Sequence, residues 1–194
     1  VYRLTGSSLL LGSTAFCGQI PILLFSPLGG IVADRFSRRR VVLACQTASM
    51  LLAAVLAGLT LAGQVKVGHI FVLAACLGIV NAFDIPARQA FIVDMVGRKD
   101  LINAIALNSS MFNASRIIGP AVAGVLVGVV GEGWCFFGNA LSYVAVIMGL
   151  LMMSTREGPR DHGGASPLEG IKQGLRFVRD TKPVRALLVL LGIT

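Results

Sequence analysis

Charge is what this sequence has least of. Asp, Glu, Lys and Arg make up 13% of its 194 residues, about half the share of a soluble domain. Acidic groups are scarcer still, nine against seventeen Lys and Arg. Aromatic residues reach only 7%, too few to interleave a basic surface with stacking groups. The four cysteines, Cys17, Cys45, Cys76 and Cys135, each stand alone in an apolar run. No CxxC or Cys/His cluster is present, so they read as small buried hydrophobes rather than redox or metal groups. There is no Gly-x-Ser-x-Gly, no phosphate loop and no metal-ligand cluster. An enzyme, a resident cofactor and an ATP-driven pump within this chain are therefore not expected. Nothing resembles a signal peptide.

What remains is oil and glycine. Hydrophobic residues are 55% of the chain and mean hydropathy is +0.81. No charged side chain occurs from Leu4 to Ala33, from Val41 to Val65, or from Gly133 to Thr155. Each stretch exceeds the roughly 20 residues that cross about 30 Å of hydrocarbon. Val67 to Phe83 is apolar until Asp84 and Arg88, and Leu101 to Gly131 is broken only by Arg116. The predicted spans are 8–32, 41–62, 68–93, 102–130, 134–153 and 184 onward. In lipid each must satisfy its own backbone polar groups, so they are helices. They lack the alternation of membrane strands. The fold class expected is all-α, a polytopic transmembrane bundle in the lipid bilayer. The 23 glycines suit it, since small residues let helices approach closely.

The net charge of +8 does not point to nucleic acid, because the basic residues form short clusters between apolar runs. They report orientation instead. Thirteen of the seventeen fall on one side: Arg35, Arg38, Arg39 and Arg40 after the first span, Arg98 and Lys99 after the third, and seven between Arg156 and Arg185. The positive-inside rule makes that side cytoplasmic. His69 falls at the opposite boundary and reads as an interfacial residue.

The organisation expected is membrane helices over 1–153, a cytoplasmic connection over 154–183, and the start of another span over 184–194. Gly158 to Gly164 reads as linker. Ser166-Pro167-Leu168-Glu169 is a helix start with a capping box. Leu168, Ile171, Leu175 and Val178 recur at helical spacing among basic residues, predicting a basic amphipathic helix over 167–181. The chain starts at Val1 without Met and stops within an apolar run, as a piece of a larger bundle would.

The first basic turn carries a motif. Gly30, Asp34, Arg35, Arg38, Arg39 and Arg40 resemble the signature loop of the major facilitator superfamily, with Ser37 where the family usually has Gly. In that family the loop joins the second and third helices. The resemblance thus implies helices two to six of an N-terminal half, then the start of helix seven, with the first helix and the second half lying elsewhere. It also implies a charged lock at the cytoplasmic ends. Gly78, Pro86 and Asp94 are spaced like the family's fourth helix, whose terminal acid meets the signature loop, so Asp94 is expected to pair with Arg38 or Arg39. Ala74 stands where many drug exporters carry a coupling Arg, and that role is not carried over.

Gly119, Pro120 and Gly124 resemble the antiporter signature of the fifth helix; Ala123 and Ser115 replace two of its glycines. Phe83 to Phe91, with Asn108 to Pro120, looks most like the branch holding the enterobactin exporter and transmembrane secretion effectors. That branch implies export of a small molecule, a siderophore or drug, by alternating access.

Ionisable groups within spans are functional candidates by default. Asp84 is the candidate proton carrier and Arg116, near its midplane, a candidate for attracting an anionic substrate. Arg88, Asn81, Asn108 and Asn113 add polar surface. The competing reading pairs Asp84 with Arg88 one turn on and satisfies Arg116 with backbone carbonyls. Expected partners are small-molecule substrate, protons and the remainder of the transporter. An importer of the same fold, a non-transporting membrane scaffold and an inactive truncated chain are the alternatives.

Overall fold

The computed structural model describes residues 1–153. The expected amphipathic helix 167–181, the connection 154–183 and the span from 184 lie outside the described residues. A short turn, α1 (Tyr2–Thr5), precedes five helices: α2 (Ser8–Arg35), α3 (Arg38–Leu61), α4 (Val67–Gly97), α5 (Lys99–Val130) and α6 (Glu132–Met152). All five are long and apolar enough to cross a membrane.

The helices run past the predicted spans at several ends. α2 continues through Arg35 and α3 restarts at Arg38, so the signature loop shrinks to Phe36 and Ser37. The predicted spans are bounded by charge. A helix bonds its own backbone whatever the solvent, so it carries charged turns out of the hydrocarbon. α4 and α5 are separated by a kink at Gly97, with φ 71° and ψ 176°. Only glycine adopts that geometry without strain.

Three contacts give the topology. Arg38 at the start of α3 reaches the last turns of α4. Arg39 reaches the end of α6. At the opposite end, Gly133 opens α6 against Leu61, which closes α3. α3 therefore runs antiparallel to both α4 and α6, and the arginine cluster gathers three helix ends at one basic end of the bundle.

The tightest seam is between α2 and α4. A Cβ built on Gly78 would lie 2.2 Å from Gly18 O, and one on Gly29 would lie 2.1 Å from Ala82 O. Backbone touches backbone at both places. In lipid, where no hydrophobic drive separates helix from tail, such close van der Waals packing is what joins helices. Ala33, Val42, Ala87, Phe91 and Leu150 form the buried apolar cluster, drawn from α2, α3, α4 and α6. α5 has no share in it: none of its residues is buried, and its apolar side chains are exposed along its length.

Candidate functional site

Polar groups collect in two layers along the α3–α4 seam. The outer layer stands at the basic end. Arg38 Nη1 lies 2.7 Å from Asp94 Oδ1 and also donates to Ala90 O at 3.1 Å. Its Nη2 is 3.8 Å from Asp34 Oδ1, one turn back on α2. The Arg38 and Asp94 side chains are 24% and 36% exposed, while Asp34 is 77% exposed. Arg38 Nε is buried and makes no hydrogen bond. Of the two arginines expected near Asp94, Arg38 reaches it. Arg39 does something the sequence did not suggest: Nε donates to Leu150 O at 2.8 Å and Nη2 to Leu151 O at 2.7 Å. The last carbonyls of a helix lack intrahelical donors and carry partial negative charge, so a guanidinium fork there caps the end of α6. Arg35 and Arg40 are exposed.

The inner layer is buried. Asp84 is 5% exposed, Gln46 4% and Ser49 6%. Asp84 Oδ2 accepts from Arg88 Nη2 one turn on along α4. Oδ1 accepts from Gln46 Nε2 at 3.1 Å across the seam. An ionised carboxylate in an apolar span is tolerable only when paired and hydrogen-bonded, and both of its oxygens have a donor. Arg88 is amphipathic in placement: its guanidinium holds Asp84, yet its side chain is 53% exposed. Gln46 was missed in the sequence, where an uncharged polar residue beside Thr47 and Ser49 gave no signal. The same was true of Gly29.

Asn81 lies three residues before Asp84 and lines a cleft of about 430 Å³ between α2 and α4, with Thr14, Gln19, Ile22, Leu77 and Gly78. Leu77, Asn81, Asp84 and Arg88 recur at four- and three-residue steps, so they share one stripe of α4. The cleft and the buried pair follow each other down that stripe.

The remaining expected residues are not gathered here. Arg116 is exposed on α5, with its guanidinium 5.9 Å over the ring of Phe112. No backbone carbonyl and no Asp84 meets it among the described residues. Its place 14 residues into a span made it look central. Depth along one helix does not say which way the side chain faces. Asn108 is exposed; Asn113 is exposed and donates to Ser109 O at 2.9 Å within its own helix. A Cβ on Gly30, Gly119 or Gly124 would meet nothing within 4 Å. The close approach that a motif glycine suggests falls at Gly29 instead. Pro120 lies inside the described helix that Gly97 kinks. At the other end His69 Nδ1 accepts from the Lys66 backbone N–H at 3.3 Å and helps start α4.

The chain is similar to known membrane transporters. The family described as transmembrane secretion effector matches residues 4–192. The chain is 32% identical over 168 residues to the staphyloferrin A transporter of Staphylococcus aureus, covering 85% of this chain and 42% of that protein. It is 28% identical over 197 residues to the multidrug efflux pump Tap of Mycolicibacterium fortuitum, covering 97% and 48%. It is 27% identical over 128 residues to macrolide efflux protein A of Streptococcus pyogenes, covering 64% and 31%. The chain spans less than half the length of these relatives. No solved structure matches it. Five apolar helices and bacterial transporter relatives make it a multi-pass protein of the bacterial cell membrane. The chain belongs to the transmembrane secretion effector family of major facilitator superfamily transporters.

Proposed function

We propose that this chain forms the N-terminal half of a proton-coupled exporter of a small amphipathic molecule, a siderophore or a drug. The observation that carries the proposal is Asp84: an ionisable group, 5% exposed, held in an apolar span beside a polar-edged cleft. Such a carboxylate is unfavourable in lipid and is found where a proton or charged cargo must be handled. Asp84 takes up a proton from one side and releases it to the other. Arg88 neutralises it in the charged state. The arginine cluster, facing the cytoplasm, holds one arrangement of the cytoplasmic helix ends through Arg38 and Asp94 and releases in another as the transporter cycles. The cleft beside Asn81 offers apolar walls with Thr14, Gln19 and Asn81 as hydrogen-bonding groups, the mixture expected for an amphipathic ligand. Two relatives named for efflux favour export over import, and one named for a siderophore widens the cargo beyond drugs. The buried charges count against a non-transporting scaffold.

The test is transport by the complete protein in proteoliposomes, with ethidium, a macrolide and an iron-free siderophore as probes and an imposed proton gradient. Asp84→Asn loses gradient-driven transport and its pH dependence. Transport by that variant with an unchanged pH profile removes Asp84 from coupling.

A further inference from the structure

A group that gains and loses a proton inside a protein changes its hydrogen-bonding needs. The carboxylate accepts only; the carboxylic acid must also donate its O–H. Arg88 serves only the first state, because a guanidinium has five donors and no acceptor. Once Asp84 is protonated, some other buried group has to accept that O–H, or it is left unsatisfied.

The surroundings of Asp84 narrow the choice. From α3 comes Gln46, with Cys45 and Ser49 also buried on that helix. From α4 comes Arg88. α2 meets this level with Gly29, packed on Ala82 and Phe83, and carries no charged residue between Leu4 and Ala33. α6, on the far side of α3, is uncharged from Gly133 onward. Gln46 is the neutral group already within hydrogen-bond distance of the carboxylate, at 3.1 Å. Its terminal amide carries two donors on one side and an acceptor on the other. The last torsion of a glutamine is broad and roughly two-fold, so the amide can turn over with no movement of the helix.

We infer that Gln46 is the positioning residue for proton exchange at Asp84: its amide donates to the carboxylate and, turned over, accepts from the carboxylic acid. This rests on the proton-carrying reading of Asp84. One proton from hydronium in the water on the open side of Arg88 adds to a carboxylate oxygen of Asp84: an O–H bond of the hydronium breaks and leaves water as the O–H bond of the acid forms. Arg88 keeps its charge and is freed toward the exposed side, where it can meet an anionic group of a ligand. Gln46 rotates and keeps the buried acid satisfied.

Infrared difference spectroscopy on the purified complete protein in lipid, between acidic and alkaline pH, separates the two ideas. Asp84→Asn removes one protonated-carboxyl band, which assigns it. In Gln46→Met, of similar shape but without the amide, that band shifts to higher wavenumber because the O–H has lost its acceptor. The amide-carbonyl feature that accompanies it disappears. Gln46→Asn, whose amide is one methylene shorter, gives a smaller shift and remains informative if the methionine variant does not fold. A band removed by Asp84→Asn but unmoved in either Gln46 variant overturns the role of Gln46 and leaves the proton carrier standing. Carboxyl bands untouched by Asp84→Asn overturn the carrier, and Gln46 with it.

Discussion

Gly29 and Gly30 are neighbours in sequence and opposites in surroundings, which makes them a sharp test of the α2–α4 seam. A Cβ on Gly29 would sit 2.1 Å from Ala82 O, 3.0 Å from its carbonyl carbon and 3.1 Å from Phe83 Cα. Ordinary carbon–oxygen contact is about 3.3 Å or more, so Gly29→Ala forces the helices apart by about 1 Å. The atoms in the way are backbone and cannot rotate aside. A gap of that size forfeits roughly a quarter to a half of the dispersion attraction of the pairs it separates, and in lipid that attraction is what holds the seam. Overpacking of this kind costs about 2 kcal/mol, or about 2–3 °C in the melting temperature of a complete protein roughly twice the length of this chain. Gly30→Ala meets nothing within 4 Å. It removes a flexible residue from a helix and stabilises by about 0.5–1 kcal/mol. The assay is thermal unfolding of the purified complete protein in detergent. If Gly30→Ala lowers the melting temperature more than Gly29→Ala, the seam does not lie where the structure puts it, and the motif glycine is the packing residue after all.

Three further outcomes are expected. Arg38→Gln and Asp94→Asn, combined in a double-mutant cycle on unfolding, give a coupling of about 0.5–1 kcal/mol, small because both side chains are partly exposed; a coupling of zero would break the outer pair as a unit. Arg39→Ala strips the donors from Leu150 O and Leu151 O, so backbone amides in the last turn of α6 exchange with deuterium about fivefold faster, matching the loss of about 1 kcal/mol of capping. Unchanged exchange there would mean water replaces the arginine fully. Gly97→Ala places a side chain at φ 71° and ψ 176°, which costs about 1–3 kcal/mol; unfolding at the wild-type temperature would show that the α4–α5 kink is not held in that geometry.

How much of this was visible beforehand depends on what periodicity and charge can report. Uncharged length located all five helices, because a span has to be long and apolar whatever its neighbours. It did not report how far each helix runs, since α2 ends on Arg35 and α3 starts on Arg38. Asp84 was legible because a carboxylate in an apolar run is anomalous by itself. Its partner across the seam was not, since a glutamine on another helix 38 positions earlier becomes relevant only when α3 and α4 pack. Motif resemblance pointed to Asp94 and the arginines, and left open which arginine goes where. That is decided by register: Arg38 faces α4 and Arg39, 100° further round α3, faces α6. Gly119 and Gly124 show the limit of the method. Their small size reads as packing, yet none of the residues of α5 is buried.

The two polar layers differ in what it takes to break them, and the difference bears on how a cycle could be ordered. Arg38 and Gln46 are eight residues apart on α3, and Asp94 and Asp84 ten apart on α4, so the layers stand about 12–15 Å from each other. Ala87, Phe91 and Val42, each buried, lie between them. The outer pair is partly hydrated, and opening it changes the balance of two arrangements by only about fivefold. As the proposed latch, it is one that thermal motion and a competing contact can release. The inner carboxylate has no such freedom. Removing Arg88 from an ionised, buried Asp84 leaves an uncompensated charge, an arrangement that is strongly destabilising. Arg88 can therefore leave only after Asp84 has been protonated, whereas the latch can open at any time. In the proposed cycle the proton thus acts on the inner layer and the rocking of the halves on the outer one.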